Sequence, residues 1–186
     1  MTKKSTFVLS GSLVQAAYQH CLGIASTLLA RDGQLAPALF LVGQPTQGQD
    51  FQSCRMAGAG VQAMQNFHAS TEALQKLTTF IRASLTPSTK EYAALQPQIG
   101  PVLLALHSFL TALSLQEAVV PNPGTTPVLD ANGVQQYLVL AVHTLHGIDM
   151  ALCPLLHDAA GQLLVQAQPL ELLHCLPPTA SVSSAT

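Results

Sequence analysis

The sequence predicts an α+β fold: three to five helices packed on an antiparallel sheet, with a C-terminal β-meander as the main part of that sheet. Two patterns carry the prediction. Near the start, Leu13, Val14, Ala17, Tyr18, Cys21, Leu22, Ala25, Leu28 and Leu29 recur at i, i+3, i+4 and i+7, the spacing that gathers apolar side chains on one helical face. In the last third, the turn signals "DANG", "HG" and "DAAG" separate runs rich in Val, Leu and Ile, the punctuation of short antiparallel strands. Length sets the scale. A chain of 186 residues is enough for one core and short for two. Residues 1–176 therefore read as one α+β domain and 177–186, "PPTASVSSAT", as a flexible tail.

Taken in order, the first helix has Ser12 to cap its start and Asp32-Gly33 to stop it. "LAPALFLVG" follows, a short apolar run bounded by Gly, which predicts a strand over Ala38 to Val42. "GQPTQGQD" has the composition of a loop. From Phe51 to Leu85 the pattern is helical in two pieces. Leu74, Leu77, Ile81 and Leu85 form the stripe of the second piece, and Glu72 faces Lys76 at i, i+4. "TPSTK" breaks the chain, after which Ser88 and Glu91 have capping-box spacing for a short helix ended by Pro97. "IGPVLLALHSFLTALSL", Ile99 to Leu115, reads as a central core helix with Pro101 in its first turn. "PNPGTTP" is a rigid linker within the domain. Strands are expected near Val134 to Leu145, Ile148 to Leu156 and Gln162 to Gln168. Tyr137 to Val142 is apolar on both faces, so that strand needs cover on both sides, one from helices and the other from a partner subunit.

Charge is the unusual quantity. Lys, Arg, Asp and Glu make up 9% of the chain, against about 25% in an ordinary soluble domain. Hydrophobic residues stand at 48% and mean hydropathy at +0.35. A surface so poor in charge is best protected by burial against a second copy, which predicts a homodimer and leaves room for an unidentified protein partner. With seven Lys and Arg and no basic stripe, the electrostatic footprint for nucleic acid is missing. Ile99 to Leu115 falls short of the roughly 20 apolar residues of a membrane span and carries polar groups, so no membrane association is expected. Lys3 and Lys4 precede an uncharged run, but Ser, Gln and His interrupt it, so the start reads as mature, cytoplasmic protein. The four cysteines, at 21, 54, 153 and 175, lack any Cys-x-x-Cys pair and read as buried thiols.

Tyr137 to Gln166 gathers three histidines, Cys153 and two aspartates. On a strand, residues three apart point to opposite faces, so His143 and His146 cannot share a metal. With His146-Gly147 as a two-residue hairpin loop, His143 faces Met150 and Cys153 faces Leu140 from the other side of the sheet; a one-residue longer loop still leaves them roughly 13 Å apart. No catalytic or metal site is expected there. His20-Cys21 and His174-Cys175 lack the short paired spacing of a zinc site. "AGAGVQA", with Gly58, Gly60 and Ala63, matches a loose dinucleotide fingerprint but follows "FQSCRM", which lacks strand character. No cofactor is implied. The candidate ligand-binding residues are His107, Ser108 and Thr111, which line the polar side of the expected core helix.

These observations favour a non-catalytic, self-associating protein-interaction or scaffold module. Two alternatives stand beside it: a small-molecule-binding module with a pocket between helices and sheet, and an enzyme whose site is assembled from distant residues.

Overall fold

The computed structural model describes residues 11–44, 51–58, 70–117 and 119–173. Among them are three helices: α1 (Gly11–Asp32), α2 (Thr71–Leu85) and α3 (Lys90–Ile99). Eight strands complete the fold: β1 (Ala38–Gly43), β2 (Met56–Gly58), β3 (Val102–Ala112), β4 (Thr126–Pro127), β5 (Gln136–Thr144), β6 (Gly147–His157), β7 (Leu163–Val165) and β8 (Glu171–Leu173). Every pairing is antiparallel, in the order β2-β1-β3-β5-β6-β4, with β7 and β8 also paired to β6. The α+β class and the meander β5-β6-β7 are as the turn signals indicate. The residues assigned to the tail, 177–186, lie outside the described ones.

The stripe of α1 is buried as its spacing requires: Leu13, Ala17, Tyr18, Leu22, Ala25 and Leu29 all face the sheet. Gly33, at φ +66, turns the chain left-handed and donates its N–H to the Leu29 carbonyl at 2.9 Å, closing the helix. Ser12 lies inside the first turn and not at the cap. In α2 the Ser70 hydroxyl accepts from the Ala73 N–H at 3.1 Å. Leu77, Ile81 and Leu85 are buried there, Leu74 is exposed, and Lys76 meets Glu72 at 2.9 Å. The cap of α3 is Thr89, one residue beyond the expected Ser88: its hydroxyl accepts from the Tyr92 N–H at 3.2 Å and donates to the Thr86 carbonyl at 2.8 Å. Pro97 stands within α3, which ends at Gly100 (φ +74), not at the proline.

The largest correction concerns Ile99 to Leu115. The expected core helix is the central strand β3, hydrogen-bonded to β1 on one side and β5 on the other. A strand covered on both faces reads as a continuous apolar run, which periodicity alone does not separate from a buried helix. A second correction is β2, where Phe51 to Gly58 was expected to be helical: a 3-10 turn over Phe51–Ser53 is followed by a strand.

The two Asp-x-x-Gly turns are nearly superimposable in their bonding. In Asp130–Val134 and Asp158–Gln162 alike, the Asp carbonyl accepts from the Gly N–H (3.0 and 2.9 Å). The Asp N–H donates to the carbonyl of the residue after Gly (2.8 and 3.0 Å). One carboxylate oxygen accepts from the N–H groups two and four residues on, and the glycines take φ +76 and +79. In the β5–β6 hairpin the loop is Leu145-His146, because Thr144 pairs with Gly147. His143 therefore faces Ile148 and Cys153 faces Leu138, two residues along from the expected register and so on the same faces.

Helices cover the sheet on two sides. On one, α1 packs on Val42, Leu104, Leu106, Leu138, Leu140 and Val142. On the other, Leu77, Ile81, Leu85 and Ile99 from α2 and α3 pack on Leu39, Leu41, Val102 and Ala105. β5 is buried without a break from Tyr137 to His143. The cover once assigned to a partner subunit is thus supplied by the chain itself. Packing is closest where β1 ends: a Cβ on Gly43 would stand 1.8 Å from the Ile99 carbonyl oxygen, so only glycine fits. Finally, the Tyr18 hydroxyl donates to the Gln168 carbonyl at 2.5 Å and lies 3.8 Å from Cys153 Sγ, tying α1 to the segment after β7.

Candidate ligand-binding cavity

The strand geometry of β3 divides the three residues expected to line a ligand site. His107 and Thr111 share the α2 side of the sheet, four residues and roughly 13 Å apart along the strand. Ser108 points to the α1 side. His107 is buried, with its ring 4.9 Å from Phe109 and 6.0 Å from His143 between centroids. His143 is diagonal to it, since His107 pairs with Ala141 and Ala105 with His143. His143 Nε2 is buried without a hydrogen-bond partner, and burial pushes the imidazole down to about 4. A buried ring nitrogen without a hydrogen bond is a structural liability. Among the described residues no group of three His, Cys, Asp or Glu gathers at metal-binding range. Cys153 lies on the α1 side, so the Tyr137 to Gln166 stretch makes no shared centre with His143. Gly58 ends β2, which pairs antiparallel with β1; Gly60, Ala63, His174 and Cys175 lie outside the described residues.

Ser108 belongs to a different site. A cavity of about 410 Å³ lies between α1, the connection after it, and strands β1 to β3. Its roof is one flank of α1: His20, Cys21, Ile24, Ala25 and Leu28, the i, i+1, i+4, i+5, i+8 set that a helix presents together. Its floor is made by two directly paired couples on adjacent strands, Ala38 opposite Ser108 and Phe40 opposite Leu106. Alternation along both strands turns all four to the same side. Leu35, Ala36 and Pro37 close one end, and Met56 of β2 the other strand edge. The cavity exists because small residues meet there. Ala25 and Cys21 above, with Ala38 and Ser108 below, leave unfilled the space that larger side chains occupy elsewhere along α1.

Among the polar side chains of the described lining, Ser108 on the floor is buried, while His20, Asp32 and Gln34 are exposed. Burial pushes the Cys21 thiol up to about 11, outweighing the opposing influence of Ser108. Cys21 therefore keeps its proton at neutral pH and is not an activated nucleophile. Asp32 stands at the rim, held by Arg31 through two 2.7 Å bonds that keep its carboxyl below the ordinary carboxylate range. The His20 ring rests 5.2 Å from that of Phe51. Ile24 and Met56, at 46% and 45% exposure, are accessible apolar side chains beside the opening. Among the described residues no Lys or Arg lines the space.

Sequence reasoning reached Ser108 through a helix that does not exist and placed Cys21 in the core without seeing the cavity. Nothing in local spacing marks Leu35, Phe40 or Met56; only the strand register brings them to one place. No helix among the described residues is long and apolar enough to cross a membrane. Comparison with protein-family models, with curated proteins and with solved structures gives no match to this chain.

Proposed function

We propose that this chain is a small-molecule-binding module whose site is the cavity between α1 and strands β1 to β3. The observation that carries the proposal is the cavity itself: about 410 Å³, apolar in most of its lining, with the buried Ser108 hydroxyl on its floor to orient a guest. That volume is within the range of about 300–1,000 Å³ typical of ligand pockets, and the few fixed polar groups match their usual composition. A catalytic reading has less support, since the cavity's thiol is held protonated and the buried His143 imidazole lies on the other side of the sheet. A self-associating scaffold, the second reading, draws support from the 9% charged residues. It loses support from β5, whose two faces are already covered.

Toluene is a suitable neutral probe for the test. In nitrogen–proton correlation spectra of the full chain, toluene is expected to shift the amides of Ile24, Ala38 and Ser108 in a saturable way. Ala25→Trp, which fills the cavity, is expected to remove those shifts while the rest of the spectrum stays dispersed. Shifts absent from the wild-type chain, or unchanged in the variant, would overturn the proposal. Light scattering on the same sample reports self-association separately: a monomer at all concentrations would end the scaffold reading.

A further inference from the structure

We infer that the ligand of this cavity is an uncharged, mainly hydrocarbon molecule bearing a single hydrogen-bonding oxygen that meets Ser108. The inference rests on the ligand-binding reading above and adds the class of molecule. Three features of the lining lead to it.

The first is charge. Among the described residues no Lys or Arg lines the space, so an anionic headgroup would leave water without meeting one there, and burying an unpaired carboxylate is costly. A cationic group fares no better: the carboxylate at the rim, Asp32, already holds the Arg31 guanidinium at two contacts and stands exposed to solvent. The second is the position of Ser108. It is 5% exposed and sits on the floor beside Ala38, so a guest lying on the strands reaches it without turning. A hydroxyl has one donor and two acceptor lone pairs, and a neutral thiol can serve as donor or acceptor. The Ser108 O–H, on the cavity floor, can donate to a ligand carbonyl or hydroxyl oxygen. It is the buried hydroxyl of the described lining, with apolar side chains around it, while the polar His20 and Gln34 are exposed. The third is size. At about 30 Å³ per water the space equals on the order of a dozen water molecules, which suits a ligand of roughly ten non-hydrogen atoms or slightly more.

The experiment compares four probes of one chain length, with toluene as the hydrocarbon reference. Methyl hexyl ketone, octanol, octanoate and octylamine are titrated into the full chain at pH 8, and affinity is read from the amide shifts of Ala38 and Ser108. The ketone and the alcohol are expected to bind at least about tenfold more tightly than either charged probe. Ser108→Ala is expected to weaken the ketone about fivefold and leave toluene unchanged, which also shows that the variant is folded. If octanoate or octylamine equals the ketone, the inference falls while the cavity remains a binding site. The same holds if Ser108→Ala leaves the ketone untouched or weakens ketone and toluene alike. If no probe, toluene included, shifts these amides, both the site and the class are wrong.

Discussion

The two sides of the sheet bury comparable polar groups and treat them differently. On the α1 side, the buried Ser108 lies beside an unfilled volume. On the α2 side, His143 has a buried Nε2 with no partner, next to the His107 ring and paired across strands with Ala105. Free space decides which polar group becomes useful. A hydroxyl next to free space can meet a guest, whereas a buried ring nitrogen without a hydrogen bond can only penalise folding. The α1 side is therefore where binding is sought, and the α2 side is where stability is most sensitive.

The sharpest way to break this contrast is at Gly43, where the α3 end meets β1. Gly43→Ala places a methyl 1.8 Å from the Ile99 carbonyl, a backbone atom that cannot rotate away. We expect a loss of at least about 3 kcal/mol in denaturant unfolding. A near-neutral result would mean that this side is looser than its contacts indicate. Next comes acid. His143 is held near 4 in the folded chain against an ordinary value of 6.5, so the unfolded chain takes up a proton that the folded one refuses. His143's contribution is complete above pH 6.5 and is lost as pH falls from 6.5 to 4, a change of about 3 kcal/mol. His143→Leu should flatten that part of the stability–pH curve and leave stability at pH 7 equal or higher; a curve as steep as wild type would refute the assignment. The smallest effect comes from one change made on both sides. Ala105→Leu, in the packed layer, should cost about 1–3 kcal/mol. Ala25→Leu can extend into the cavity and should cost less than about 1 kcal/mol. Equal costs would erase the distinction between the two sides.

Much of the architecture is readable from local pattern. The α1 stripe, the strand Ala38 to Val42 and both Asp-x-x-Gly turns follow from residue types whose preferences are short-range. Ile99 to Leu115 was misread because β3 is central. With neighbours on both edges and helices on both faces, it lacks the alternation that would distinguish it, and His107, Thr111 and Ser114 happen to recur at helical spacing. Ser88 and Thr89 are both competent caps, and their sequence spacing does not choose between them. β2 is three residues long and depends on pairing with β1. The cavity was least legible, since Cys21 and Ser108 meet only through the placement of a helix across a sheet. That placement is set by the sum of many contacts and by no motif.

The bond from Tyr18 to Gln168 has a consequence for how the polypeptide is made. The buried face of α1 rests largely on strands that are translated more than a hundred residues later, and its tyrosine partner emerges later still. At 5–20 residues per second, a ribosome leaves that greasy surface uncovered for roughly 10–30 seconds. The correct docking of α1 is thus a late event in biogenesis.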